Sequence, residues 1–476
     1  MADGFSRVVE RCATGLPFLR PPPSVVGMAP CPVDSLAPTL RASGRLSSGV
    51  GRLSKTSPID RMLRLGPALR SPSQDPLPIE CVTLPSRGST RVARFTRDGS
   101  DALEQTLERV CQEVCARIQQ IVPSHRLEAI LLGGGYGRGE GGVLRTPVGD
   151  RPYNDLEYYV CVRGDRFFSR RRWQSQLHDL AAEMTTRAGI DVEFQVVSRD
   201  SLCRSRVNMF YYDLIAGHRW IWGDRTLLGA CGHLRSARAI PALEATRLLM
   251  NRCTGLLLAR QKLQRTCLDA DDADFIGRNI AKAQLALGDA VLTAFGEYDW
   301  SCLERATRLK RLLACRNFPW SNAVGHHHAA GLKFKLHPRR TMAGLRALDE
   351  RHAEITALAR EVWLWLENRR LGQNFRSPRE YAFSSVNKCP KTPAWRNCLL
   401  NLHAFRSPVF LGNTAHHHPR ERLFHALAVL LWCGKGTGER GPANDDVRFL
   451  RTCLCTAACD RDGLVEAYVK LWKRFQ

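Results

Sequence analysis

The chain of 476 residues contains no uninterrupted apolar run approaching membrane-spanning length, so neither a transmembrane helix nor a membrane partner is expected. None of its 18 cysteines forms a CxxC pair, the spacing that most directly announces a zinc site. It shows no convincing signal peptide, so reduced thiols in a cytoplasmic setting are the default expectation. No clear internal repeat is present, which argues against a solenoid. Acidic residues are scarce: 46 Asp and Glu stand against 70 Lys and Arg, a formal net charge of +24. That excess has two readings. One is a polyanionic partner, RNA or the phosphates of a nucleotide; the other is a GC-rich genome, which favours arginine codons.

The length is enough for two or three domains, and the 44% hydrophobic content is ordinary for a soluble protein. Residues 1–78 are rich in Pro, Ser, Gly and Arg and poor in acids. Disorder, a nucleic-acid-binding arm, a transit peptide and a misplaced translation start are the competing readings. Residues 79–235 carry the strand signals and residues 236–476 are mainly helical in pattern.

The most informative stretch runs from Leu127 to Val162. An apolar run of strand length, Leu127 to Leu132, meets three consecutive glycines, Gly133 to Gly135, and then Tyr136, Gly137, Arg138, Gly139 and Glu140. A second strand-like run, Leu156 to Val162, has Asp155 and Glu157 at its entrance. Alternate residues of a strand share a face, so these two carboxylates lie side by side and repel each other unless a divalent cation sits between them. A glycine turn leaves backbone N–H groups open where a phosphate could approach. The G-x-x-x-x-G-K-[ST] pattern of a P-loop is absent around Gly133. A phosphate cradle beside a carboxylate pair is what Mg²⁺-dependent phosphoryl or nucleotidyl transfer requires.

These residues resemble the nucleotidyltransferase superfamily of the DNA polymerase β type, which reads as a strand, a Gly-Gly or Gly-Ser turn, and a strand bearing Asp-x-Asp or Asp-x-Glu. The Asp-x-Glu form in NDLEYYV is similar to that of the aminoglycoside and minimal nucleotidyltransferases. The interval between Gly135 and Asp155 is longer than is usual in that family, and Gly142 to Tyr153 is read as an inserted loop or hairpin. The resemblance implies an α+β catalytic domain with a short mixed sheet flanked by helices, followed by a mainly α-helical domain. It implies an NTP substrate, ATP included, and two Mg²⁺ ions held by Asp155, Glu157 and a third carboxylate on the strand IDVEFQVV, Ile190 to Val197. Asp191, which opens that strand, is assigned the third position, with Glu193 on the same face in reserve. Gly134 and Gly135 would hold the β- and γ-phosphates. Arg138 would add charge there or serve structurally. Lys282, on a helix from about Asp274 to Phe295, would face the triphosphate, with Asp289 two turns away on the same side. The acceptor hydroxyl is open among small molecules, RNA and protein. Two other functions stay open: a catalytically inactive module of this fold that binds nucleotide or RNA, and a basic RNA-binding protein.

The remaining expectations concern elements. Helices are expected over Gly99 to Val122, Arg166 to Arg187, from Pro241, over Thr341 to Arg370, Arg420 to Leu431 and Asp446 to Phe475. Met209 to Leu228 reads as a hydrophobic element closed by a Gly223-Asp224 turn. Gly372 to Asn413 reads as irregular. The runs His326 to His328 and His416 to His418 read as solvated loop histidines. Cys453, Cys455 and Cys459 read as small buried thiols in a helical segment, with a zinc site alongside His416 to His418 as the other possibility.

Overall fold

A short mixed sheet lies between two sets of helices because its strands alternate strictly. On β4 (Leu156–Val162), Leu156, Tyr158, Val160 and Val162 face one way and are buried against α1 (Asp101–Ile121) and α3 (Arg166–Ala188). Helix α1 contributes Leu103, Leu107, Val114 and Ile118, and α3 contributes Trp173, Leu177, Leu180 and Met184. These recur every three or four residues, as a helix facing a sheet requires. Tyr159 and Cys161 face the other way, into a second cluster with Leu214, Ile215 and Leu227.

In a computed structural model the described residues are 94–164, 166–316, 318–341, 343–390, 392–405, 416–433 and 444–475. The basic segment expected at 1–78 lies outside them. The sheet runs β5 (Val192–Ser198), β4, β1 (Leu127–Leu132), β6 (Arg219–Gly223). Strand β1 is antiparallel to both neighbours, and β4 is parallel to β5, joined to it through α3. Between β1 and β4 stand a single helical turn, α2 (Gly134–Gly137), and a hairpin of β2 (Val143–Thr146) and β3 (Gly149–Pro152). The hairpin expected at Gly142 to Tyr153 is therefore present. It is clamped by the buried Tyr136, whose hydroxyl donates to Gly142 O at 2.9 Å and accepts from Tyr153 N at 2.8 Å.

After β5 come α4 (Arg199–Cys203), α5 (Met209–Ala216), β6 and a short 3-10 stretch. The Gly223-Asp224 turn is formed: Gly223 has φ +100°, and Asp224 N donates to Glu128 O at 3.0 Å. Ten helices follow. They are α6 (Leu243–Leu263), α7 (Ala270–Ala294), α8 (Cys302–Cys315), α9 (Ser321–Leu336) and α10 (Leu345–Leu371). Then come α11 (Pro378–Phe383), α12 (Ala394–Phe405), α13 (Pro419–Trp432), α14 (Asn444–Leu454) and α15 (Arg461–Phe475). Their core is one apolar cluster from Ala245 to Phe475, separate from the clusters around the sheet. A small group, Tyr212, Ile240 and Tyr298, joins the two regions, and the described residues belong to one compact unit. Among the described residues no helix is long and apolar enough to cross a membrane.

Five local expectations are corrected. His326 to His328 are not loop residues: they lie on α9, with His327 and His328 buried. His416 to His418 do precede a helix, but His417 is buried 3.0 Å from Glu421, and His418 caps α13 by accepting from Arg420 N. Gly372 to Asn413 contains α11 and α12 within its described part, each with a buried apolar or amide face. The single helix expected over Asp446 to Phe475 is two, broken around Cys455, the one non-glycine described residue with positive φ (51°). Cys453 is buried on α14, whereas Cys455 and Cys459 are exposed in the break. Among the described residues no three His, Cys, Asp or Glu side chains gather to hold a metal ion, so the zinc reading finds no support there.

Candidate functional site

A cleft of about 280 Å³ opens between the sheet and helices α6 to α9. One wall is the glycine turn with the entrance of β4, contributing Gly133, Gly134, Gly135, Asp155 and Glu157. The opposite wall is helical and basic: Arg252 on α6, Lys282 on α7 and Lys335 on α9. Tyr153 and Phe334 meet edge to face at 6.0 Å and supply an aromatic margin. The cleft thus brings together six of the seven residues expected in the site from sequence: Gly134, Gly135, Arg138, Asp155, Glu157 and Lys282.

The turn is fixed by the strand below it. Gly133 N donates to Glu157 O at 2.8 Å, which locks the turn onto β4. Gly134 has φ +61°, and a Cβ there would stand 2.9 Å from Glu157 Oε1. Glycine is therefore required twice over at this position, by the backbone conformation and by the approach of the carboxylate. Gly134 and Gly135 begin the single helical turn, and first-turn amides have no acceptor within the helix.

Glu157 accepts from Tyr159 OH at 2.9 Å. Its carboxyl is nevertheless pushed up to about 8, first by burial and then by the charge of Asp155. A site that crowds two carboxylates in this way favours a proton or a cation between them. The two candidates for the third carboxylate, Asp191 and Glu193, sit differently relative to β5. Asp191 precedes β5, where its carbonyl accepts from Leu156 N at 2.9 Å. Glu193 stands directly opposite Glu157 in the parallel register and is the charge on β5 that acts on it. Neither Asp191 nor Glu193 lines the cleft.

Arg138 is engaged structurally. Its guanidinium lies 3.0 Å from Asp213, which opens a chain of polar contacts along one side of the cleft. Tyr298 OH donates to Asp213 at 3.2 Å, and Arg305 donates to Tyr298 OH at 3.0 Å. Arg305 Nε lies 2.8 Å from Asp289, and His328 Nε2 lies 3.2 Å from the same carboxylate. Arg247 is likewise paired, with Glu244. Lys335 differs: it makes no hydrogen bond or ion pair among the described residues. Burial lowers its pKa, as it does that of Arg252. An anion entering the cleft would reverse that penalty for both.

Sequence reasoning missed Arg252, Lys335 and the Asp213–Tyr298–Arg305–Asp289 chain. Arg252, Lys335, Asp213, Arg305 and Asp289 sit on helices where a charged residue has the same spacing as a solvated one, and Tyr298 lies in a loop, so periodicity held no signal for them. No protein-family model matches the chain, and no curated protein matches it.

Proposed function

We propose that the chain is a Mg²⁺-dependent nucleotidyltransferase that moves a nucleoside monophosphate from an NTP to an acceptor hydroxyl and releases pyrophosphate. The observation that carries this reading is the cleft itself: a glycine turn and a crowded carboxylate pair face three cationic side chains from three different helices.

The residues fit the ion the reaction needs. Mg²⁺ is commonly held by one or two carboxylates, with substrate phosphates and water completing its octahedron. Asp155 and Glu157 offer that pair, and the raised proton affinity of Glu157 marks a place where positive charge is missing. Bound there, Mg²⁺ supplies positive charge to the triphosphate and lowers the pKa of the acceptor hydroxyl. Gly134 and Gly135 present amides to the β- and γ-phosphates. Lys335, Lys282 and Arg252 neutralise the triphosphate from the helical side. Glu193 stands opposite Glu157 in the register, but neither it nor Asp191 lines the cleft, so this reading rests the ion on Asp155 and Glu157 with substrate phosphates and water.

One observation favours a second reading, a module of the same fold that binds nucleotide without turnover. No third metal-ligating side chain gathers with Asp155 and Glu157 among the described residues. The two readings separate in one experiment. Each α-labelled NTP is incubated with Mg²⁺ and cell extract, using wild type or Asp155→Ala, and the products are divided into small molecules, RNA and protein. Transfer predicts label in one fraction with wild type only, and a loss on the order of 10³-fold in the variant. NTP binding with no label in any fraction supports the module. Equal label with both proteins removes the metal assignment.

A further inference from the structure

Glu140 ends the glycine turn, yet its contacts are with the helical region. The residue is buried, at 5% exposure. Its backbone N donates to Gly135 O at 2.9 Å, which closes the turn into a loop. Its carboxylate reaches across the molecule to the start of α8. There it accepts from Ser301 Oγ at 2.5 Å, from Cys302 N at 2.9 Å and from Leu303 N at 3.5 Å. The carboxylate thus caps an N-terminus that already has its own cap, since Ser301 Oγ also accepts from Glu304 N. One turn further along α8 is Arg305, which lines the cleft and holds Asp289 and Tyr298.

From this geometry we infer that Glu140 is a positioning residue. It sets the phosphate-facing amides of the turn against the basic helical wall, so that both can engage one triphosphate. The inference rests on the nucleotide reading of the cleft and adds a residue to it that touches neither the nucleotide nor a metal. Its hydrogen bonds span more than 160 residues of chain and tie the turn to the start of α8, the helix that brings Arg305 to the cleft. The Arg138–Asp213–Tyr298–Arg305 contacts run beside it and approach α8 from the other end of the turn.

Charge and position predict opposite outcomes here. Glu140 is an acid near Lys335, and each acts on the other electrostatically. Removing a negative charge beside a cationic phosphate site should by electrostatics alone tighten anion binding. Loss of positioning should weaken it. The test is calorimetric titration of Mg·ATP, Mg·GTP, Mg·CTP and Mg·UTP into the full-length wild type and into Glu140→Ala, Glu140→Gln and Glu140→Asp. Circular dichroism serves as the check on folding. Positioning predicts at least about tenfold weaker binding for Glu140→Ala, in line with the cost of a small misplacement. Glu140→Gln keeps one acceptor oxygen for Cys302 N and can donate its amide to Ser301 Oγ, so it should bind less weakly than the alanine variant. Glu140→Asp keeps the charge but loses reach, and should fall with the alanine variant; it decides the matter if Glu140→Ala does not fold. Binding by wild type and by the Ala and Asp variants alike would overturn the inference and leave the nucleotide reading intact. Absence of binding by wild type would remove both.

Discussion

Two acid clusters of this protein are built from similar residues, one fully buried and the other half-buried at the cleft, and they differ in what faces them. In the helical core, Glu367 is wholly inaccessible to solvent and fully engaged. It accepts from Thr246 Oγ1 at 2.6 Å, from Tyr381 OH at 2.9 Å and from Arg370 at 2.9 and 2.5 Å. In the cleft, Glu157 takes one hydrogen bond from Tyr159 and faces Asp155, a second negative charge. A buried carboxylate with a full set of donors is a structural element. A carboxylate crowded by a second negative charge and set opposite cations on another wall is a site suited to charge that arrives with a ligand. The contrast separates scaffold from site without appeal to any relative.

Substitution should break this comparison in opposite directions. The largest effect is expected in the core: Glu367→Gln leaves Arg370 without its counter-charge and should destabilise the fold by about 3 kcal/mol, read by urea unfolding. The same change in the cleft should do the reverse. Glu157→Gln removes the repulsion with Asp155 and should stabilise the metal-free protein by roughly 1 kcal/mol at pH 8, while abolishing transfer. A loss of stability in Glu157→Gln as large as that in Glu367→Gln would make the cleft pair structural.

The smallest effect is a pH trend. Glu157 binds its proton more tightly in the folded protein than in the unfolded chain, where the carboxyl titrates in its ordinary range. Its contribution to stability is therefore present at acid pH and is lost as pH rises from that range through about 8. In EDTA, wild type should lose stability over this window relative to Glu157→Gln. Added Mg²⁺ should flatten the difference, because a bound cation does the work of the proton. Parallel pH profiles for the two proteins in EDTA would contradict the assignment.

Much of this was legible in the sequence because it is local. The glycine turn, the i, i+2 acidic pair and the inserted hairpin lie within 36 consecutive residues, where strand alternation fixes which side chains meet. A third carboxylate was not legible: Asp191 and Glu193 alternate onto one face in the sequence, yet neither lines the cleft. Helix α9 was not legible at all. In its sequence, SNAVGHHHAAGLKFKL, the apolar residues do not fall on one face and two glycines interrupt them, so no amphipathic period marks it. Tertiary packing holds it instead: a Cβ at Gly331 would lie 2.5 Å from Leu285 N, so the glycine allows α9 to pack tightly on α7. That approach is what carries Lys335 and Phe334 into the cleft. Glu140 belongs to the glycine-rich motif, but its partners lie 161 and 162 residues away, so the motif gave no sign of them.

The central claim is that Asp155 and Glu157 are a metal-binding pair serving a nucleoside triphosphate. Calorimetric NTP titration of wild type and of Asp155→Ala/Glu157→Ala, each in EDTA and in excess Mg²⁺, tests it most directly. The account predicts that Mg²⁺ tightens binding to wild type at least about tenfold, since it turns a repulsive carboxylate pair into ligands. It predicts that the double variant, with no repulsion to relieve, binds with little dependence on Mg²⁺. The same Mg²⁺-dependent tightening in both proteins would contradict it.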